Sequence, residues 1–518
     1  MESLGSLLEE AAQVYPDRTY VRFQGGQLSY GEFNREVNRL ANSLRQLGVE
    51  KGWHVAAILP NSLDFLLLYF AVAKLGAINI FISDQYNHDL LKYALDCTDA
   101  QAVVVDERYL SRYRNVRQEL KKVRLEILRS TNDRVFPGAI PFRRLLSGSG
   151  ASTPPATILP GDPVQFIFTS GTTGLPKPCV ISHTRWIATS MNINQHLEAS
   201  EEDRFFCLLP NYHGNVYGGI FGALLARTSF ALEERFGASD YWKQARNYRA
   251  TILILHITPM NILLQKPRDE DLSHSARAAT FIVGTRAREF LQRFGISKGL
   301  AVYGTTEAGG FCAMKARGPE DDLPGNFCGL EREDMEMRVV NEGDEEIPIG
   351  QVGEIVVRPR RPFVVFNGYY GMPEKTLEIC RNLWLHTGDL GYRDEQGRFF
   401  YVGRKSESIR VKGEFILVEY VESLLRSHPR IAECALVGLP SEIGEEDIKA
   451  YIKQQDGASL SPEEVISFCR EKMADFMIPR WVEFVEEFPM LSSAMKIDKK
   501  ELKQRGVGKA WDRRAKRT

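Results

Sequence analysis

The chain has 518 residues, 43% hydrophobic and 26% charged, which is too long for one ordinary core and supplies ample apolar material for two or more. Its 66 Lys+Arg against 67 Asp+Glu leave a formal net charge of −1, so the basic footprint of a nucleic-acid binder is missing and no nucleic-acid partner is expected. Eight cysteines stand singly, at 97, 179, 207, 312, 328, 380, 434 and 469, with no CxxC pair or zinc-ligand spacing, and this argues for reduced thiols in a cytoplasmic protein.

The opening MESLGSLLEEAAQVYPDRTY carries acidic residues where a secretory signal needs basic ones, and it predicts an amphipathic helix. The most lipid-like stretch, Phe65 to Ile82, is interrupted by Lys74 and Gly76, whereas a membrane span needs about 20 mostly apolar residues. It predicts a buried helix running into a core strand. The short β-branched runs 55–59, 102–106, 166–170, 250–255 and 280–284 alternate with helical patterns, which predicts parallel sheets with helices on their faces. Residues 145–160, rich in Ser, Gly and Pro, predict a surface loop joining two subdomains.

From about Arg338 the runs MRVV, GEIVVRP and GRFFYVGR, with Gly-rich turns between them, predict an antiparallel sheet or small barrel. After Arg404 the pattern predicts a helix over 418–427, strands over 433–439 and 448–453, a helix over 461–473 capped by Ser461, and a strand over 481–488. The basic end, GKAWDRRAKRT, reads as a solvated, disordered tail.

Chemistry concentrates first in Thr169-Ser-Gly-Thr-Thr-Gly-Leu-Pro-Lys177, directly after the apolar run FIF. Hydroxyls and glycines at this density suit a loop that wraps amide N–H groups around phosphates, with Lys177 as a point charge, and they also suit a plain turn. The loop does not fit GxxxxGK[ST]. FTSGTTGLPKP resembles the phosphate-loop signature of the adenylate-forming superfamily, which includes acyl-CoA synthetases, peptide-synthetase adenylation domains and luciferases. Further matches follow in order: Tyr303-Gly-Thr-Thr-Glu307 resembles YGxTE, Leu385-His-Thr-Gly-Asp389 the TGD motif, Gly403-Arg404 the (D/G)R motif, and Val411-Lys-Gly-Glu414 the (K/G)GE motif. The likeness runs from about residue 28 to Lys496.

That resemblance implies an α/β fold: a large N-terminal adenylation domain, residues 1–405, of two parallel-sheet subdomains plus a small β-barrel-like one, and a small mobile α+β domain, residues 406–518. It implies that Thr169, Ser170, Gly171, Thr172, Thr173 and Lys177 hold the ATP phosphates. Thr306 would contact the α-phosphate, Glu307 would hold Mg2+, and Tyr303, with Gly304 and Thr305 beside it, would stack near adenine. Asp389 would take the ribose hydroxyls, with Arg404 adding a cation. His213, in LPNYHGNVYG, sits where the family places a group near the substrate carboxylate, although a His between apolar segments also suits a packed core. Lys496 would neutralise charge at the α-phosphorus, and Ser406 would be the hinge whose rotation exchanges Lys496 for the Lys412-Gly413 segment. The match departs at Met495, which replaces a glycine, and one extra residue separates Pro489 from Lys496, leaving Lys499 or Lys500 as alternatives. Upstream of Tyr303 the family's longer stretch is reduced to Gly284-Thr285.

The activity implied is an AMP-forming acid–thiol ligase, in which a small-molecule carboxylic acid attacks ATP to give acyl-AMP and coenzyme A then takes the acyl group. Stand-alone acyl-CoA ligases of the carnitine/crotonobetaine type are the nearest in resemblance. A carrier-protein thiol, an amine acceptor, a non-carboxylate acid or a lapsed nucleotide-binding scaffold are the alternatives; a carrier protein is not indicated. No transmembrane segment is expected.

Overall fold

The computed structural model describes the whole chain except residues 1–2, 87, 131–136, 149, 170–174, 267–272, 283–285, 311, 314–317, 319–325, 406–407, 412–413, 442–445, 474, 491–496 and 516–518. The first helix, Leu4–Val14, buries Leu4, Leu7, Leu8 and Ala11, the i, i+3, i+4, i+7 stripe of an amphipathic helix. A reciprocal Ser3–Ser6 capping box starts it. The expected buried helix is Leu63–Lys74, which leads at Gly76 into the strand Ile78–Phe81. Lys74 does not reach solvent. It is 4% exposed and donates to the Glu9 carboxylate, to the Asn34 amide oxygen and, at 2.7 Å, to that of Asn38, so a polar nest replaces water around the ammonium.

Two seven-stranded sheets carry the larger part of the chain. In the first the spatial order is Ile140–Pro141, Leu125–Arg129, Ala102–Asp106, His54–Ile58, Ile78–Phe81, Pro163–Thr169 and Lys177–Ser182. In the second it is Lys298–Val302, Ala278–Ile282, Ile252–Ile254, Arg204–Cys207, Ser229–Leu232, Thr19–Phe23 and Gly26–Ser29. Both are parallel as predicted, except that each ends on an antiparallel strand. Parallel neighbours need a crossover of a dozen or more residues. Gln24 and Gly25, at φ 47° and 77°, instead make a two-residue turn of the kind that closes antiparallel hairpins. A six-stranded sheet follows in the order Cys312–Ala313, Phe327–Glu331, Phe399–Arg404, Leu385–Arg393, Gly353–Pro359 and Met335–Val340, where the sequence texture pointed to an antiparallel sheet or small barrel.

The Ser/Gly/Pro stretch begins later than expected, because Phe142–Ser147 is helical. Beyond it the loop is pinned to the helix Tyr30–Gln46, whose Asn38 and Asn42 amides donate to the carbonyls of Gly150, Ala151 and Ser152. Cys97, Cys179, Cys207, Cys328, Cys380, Cys434 and Cys469 are free thiols. Among the described residues no helix is long and apolar enough to cross a membrane.

The chain forms two compact units, one of Met1–Arg338, Val356–Thr387 and Asp394–Phe400, the other of Val339–Ile355, Gly388–Arg393 and Tyr401–Thr518. In the second, strands Ile431–Pro440, Glu446–Gln454, Trp481–Phe484 and Trp511–Asp512 form a sheet packed by the helices Val418–Arg426 and Pro462–Lys472. Ser461 caps the latter with Glu464 as its partner, as the sequence predicts. Two expectations are corrected. The strand at Trp481 ends at Phe484 rather than 488, and the basic tail is not a loose end. Trp511–Asp512 pairs with Trp481 and Val482, the Asp512 carboxylate accepts from the Trp481 indole at 3.1 Å, and Arg514 pairs with the buried Asp447 at 2.9 Å. One apolar residue and two carboxylates dock a segment whose composition alone reads as solvated.

Candidate functional site

The strand Lys298–Val302 ends at Tyr303, which is 5% exposed, and the chain then doubles back, Gly304–Thr305 pairing with Gly309–Gly310. Gly304 is dictated by packing, since a Cβ there would lie 1.8 Å from the carbonyl oxygen of Gly309. The Thr305 hydroxyl accepts the Ala308 N–H at 3.1 Å, and the turn carries Thr306 and Glu307 at its tip. Arg185, on the helix His183–Leu197, is buried beneath it. Its guanidinium donates to the Thr306 carbonyl at 3.0 Å and the Thr189 hydroxyl at 3.2 Å, and lies 4.8 Å from the Trp186 ring. Burial pushes its pKa down to about 10, with Arg332 adding repulsion and the Glu307 carboxylate opposing it.

Glu307 is fixed at both ends. Its carbonyl accepts the Phe366 N–H at 2.8 Å, and its carboxylate accepts the Tyr369 hydroxyl. Burial, then the Glu307 charge, holds the Tyr369 phenol far above the ordinary range, so it stays a donor. Lys177 stands 4.5 Å over the Tyr369 ring. Thr169 is the antiparallel register partner of Lys177. The buried Thr169 Oγ1 has no hydrogen-bond partner among the described residues. Ser170, Gly171, Thr172 and Thr173 lie outside those residues. Lys177, Tyr369, Glu307, Thr306 and Arg185 are thus linked contact by contact, although they come from four separate stretches of chain.

His213 is the N-cap residue of the helix Gly214–Leu225 and is exposed, not packed in a core. Its ring lies 4.8 Å from Tyr212 and 6.4 Å from His256, stacked on the latter at 15°. His256 begins the helix Ile257–Gln265. The two imidazoles follow the C-terminal ends of the parallel strands Arg204–Cys207 and Ile252–Ile254, the edge where ligands of open α/β sheets bind. The shortened segment at Gly284-Thr285 lies outside the described residues.

In the second unit Asp389 is 2% exposed, and its carboxylate pairs with the Arg404 Nε at 2.9 Å. Buried Glu354 holds both flanks, accepting the Gly388 N–H at 3.2 Å and the Lys405 ammonium at 3.0 Å. Lys499 is committed elsewhere, 2.9 Å from the buried Glu422 carboxylate. Ser406, Lys412, Gly413 and Lys496 lie outside the described residues.

Arg185, Tyr369, His256 and Glu354 were not singled out from the sequence. Tyr369 lies 62 residues from Glu307 and Arg185 lies 121 from Thr306, so no local spacing signals either pairing.

A profile for the AMP-binding enzymes matches residues 8–370, and one for the AMP-binding enzyme C-terminal domain matches 420–494. Crotonobetaine/carnitine–CoA ligases of Citrobacter koseri and Salmonella arizonae are each 31% identical over 524 residues, covering 97% of this chain and 99% of the relative. Among solved structures, the anthranilate CoA ligase AuaEII with anthranoyl-AMP has a TM-score of 0.84 at 24% identity, covering 97% of each chain. ATP-bound MatB from Rhodopseudomonas palustris has a TM-score of 0.85 at 24% identity, covering 96% of this chain and 98% of its own. With Glu307, Lys177 and Tyr369 linked contact by contact and the family profile spanning most of the sequence, the chain belongs to the AMP-binding enzymes.

Proposed function

We propose that the chain is an AMP-forming acid–thiol ligase: a small carboxylic acid attacks the α-phosphorus of ATP, pyrophosphate leaves, and coenzyme A takes the acyl group from acyl-AMP with release of AMP. The observation that carries this reading is the Lys177–Tyr369–Glu307–Thr306–Arg185 chain of contacts, which gathers cations, a carboxylate and hydroxyls in one place. Such a set binds polyphosphate and a hard divalent cation together. Magnesium fits these residues, because Glu307 offers a carboxylate and Thr169 an unpartnered buried hydroxyl, and Mg2+ takes few protein ligands when phosphates supply the rest. When bound it supplies charge neutralisation at the phosphates.

The chain's own residues do the following in this reading. Thr169, Ser170, Gly171, Thr172, Thr173 and Lys177 hold the phosphates, and Thr306 contacts the α-phosphate. Arg185 fixes the Thr306 carbonyl and Tyr369 aims Glu307, so neither group needs to reorganise as charge develops. His213 and His256 face the acid and can donate hydrogen bonds to its oxygens. Asp389 accepts the ribose hydroxyls, with Arg404 holding the carboxylate in place, and Tyr303 flanks the base. Lys496 stabilises charge at the attacked phosphorus. We place the boundary of the mobile C-terminal domain at 405/406, with Ser406 as hinge and Lys412-Gly413 serving the thiol step.

The test is acid-dependent ATP–pyrophosphate exchange across short, medium, aromatic and betaine-like carboxylates, with AMP release followed with and without coenzyme A. Exchange with one acid class and AMP release that requires coenzyme A are the expected results. Exchange without coenzyme A-dependent release would point to another acceptor, and ATP binding without exchange for any acid would leave a lapsed scaffold.

A further inference from the structure

A second group of cations lies at the other end of the same strands. Arg204 is the first residue of Arg204–Cys207, and Tyr248 and Arg249 precede Ile252–Ile254, whereas His213 and His256 follow these strands at their far ends. Together with Arg22 and Asn247, these residues line a cavity of about 260 Å3. Tyr248 and Asn247 come from the end of the helix Tyr241–Asn247 and its cap, Arg22 from the strand Thr19–Phe23. A water molecule takes about 30 Å3 of liquid volume, so the space suits an anion larger than water.

Among the described residues none of the three arginines forms an ion pair, and Arg22 donates to the neutral Gln27 amide oxygen at 2.9 Å. The buried Arg22 Nε has no hydrogen-bond partner among the described residues. Two nearby carboxylates are already used. Asp203, next to Arg204, accepts from Arg277 at 2.6 and 2.7 Å, from the Thr251 hydroxyl at 2.7 Å and from the Ser200 N–H at 2.9 Å. Glu233 accepts the Tyr248 hydroxyl at 2.5 Å. Burial first, then repulsion from Arg204 and Arg249, lowers the Arg22 pKa.

Like charges gathered around a cavity, with a buried donor left over and the nearby acids engaged elsewhere, are a preformed demand for an anion, met here chiefly by charge. We propose that this cavity binds a small phosphate-bearing anion, of phosphate or pyrophosphate size, at a site separate from Glu307 and His213. Arg22 Nε supplies the buried donor, and Arg204 and Arg249 supply the charge.

The experiment is titration calorimetry of the full chain with inorganic phosphate and with pyrophosphate, on the wild type, R204Q/R249Q, R204K/R249K and K177A, the last altering the nucleotide loop. The expected result is binding in the wild type that weakens with added salt. It should fall at least about tenfold in R204Q/R249Q, stay within about threefold in R204K/R249K, and persist in K177A for phosphate. ATP–pyrophosphate exchange should stay within about twofold in R204Q/R249Q if the two sites are separate. Equal affinity in the wild type and R204Q/R249Q, no heat from either anion at millimolar concentration, or loss only in K177A would each overturn the proposal. So would Lys variants that lose binding together with a fallen melting temperature, because that pattern marks the arginines as structural.

Discussion

Tyr369 donates its hydroxyl to the carboxylate of Glu307 while the face of its ring receives the Lys177 ammonium, so one side chain orients both an anion and a cation of the candidate site. Tyr369→Phe removes the hydroxyl and keeps the ring over which Lys177 stands. A hydrogen bond to a charged group is worth about 1.5–3 kcal/mol. In ATP–pyrophosphate exchange we expect the half-saturating Mg2+ concentration to rise about tenfold, with a smaller loss of rate at saturating Mg2+. Direct Mg2+–ATP binding by calorimetry should weaken in parallel. An unchanged Mg2+ requirement with a lowered maximal rate would show that Tyr369 does not act through Glu307.

Arg185 gives a prediction in which stability and activity part company. A buried guanidinium bonded to a carbonyl and a hydroxyl, with no carboxylate in hydrogen-bond reach, is expensive to hold charged. Arg185→Met fills similar volume without that cost, so the melting temperature should hold or rise. The Thr306 carbonyl loses its donor and Glu307 its neighbouring positive field, and ATP–pyrophosphate exchange should fall by about tenfold or more. A variant that loses stability and activity together would make Arg185 an ordinary structural residue.

His183 provides the pH dependence. Its Nδ1 accepts the Leu4 N–H at 3.2 Å, tying the first helix to the helix His183–Leu197, and the ring is fully buried. Burial pushes its pKa down to about 4, against an ordinary 6.5, with Asp162 opposing and Lys51 assisting. The ring is therefore neutral in the folded chain and becomes protonated more readily in the unfolded one. Its contribution is whole above the unfolded pKa of about 6.5, declines as the pH falls, and is gone below about 4, a loss of about 3 kcal/mol. Melting temperature followed from about pH 7 to pH 4.5 should drop more steeply in the wild type than in His183→Asn, which keeps an acceptor but does not titrate. Parallel curves would assign the acid sensitivity to other groups.

Period and punctuation made much of this architecture readable in advance. Strands such as Ala102–Asp106 and Ala278–Ile282 are short β-branched runs buried on both faces, and Ser461 with Glu464 is a helix start written in four residues. Thr306, Glu307, Asp389 and Arg404 were legible because their motifs are contiguous. What supports them was not. Tyr369, Arg185 and Glu354 act through partners 34 to 121 residues away, and no local pattern encodes a pairing made by tertiary folding. The docked tail was misread for the same reason, since Asp447 and Trp481 lie far upstream of Arg514 and Trp511.

The proposed adenylation role of Lys496 is tested by setting it against Lys499. Lys499 heads the helix Lys499–Gln504 and meets Glu422, a carboxylate whose pKa burial raises and whose charge Lys499 helps sustain; Arg426 stands farther off, at 3.9 Å. Removing one partner of a buried pair costs about 3–5 kcal/mol, because the other is left uncompensated. Lys499→Ala should therefore lower the melting temperature while leaving the exchange rate per folded molecule close to wild type. Lys496→Ala should do the reverse, reducing acid-dependent exchange by about a hundredfold or more with the melting temperature unchanged. Thioester formation from preformed acyl-AMP should survive in Lys496→Ala if the lysine serves the attack on phosphorus, as proposed, and not the thiol step. If both half-reactions fell together in Lys496→Ala, or if Lys499→Ala abolished exchange in a chain that still melts normally, the adenylation role would pass from Lys496 to its neighbour.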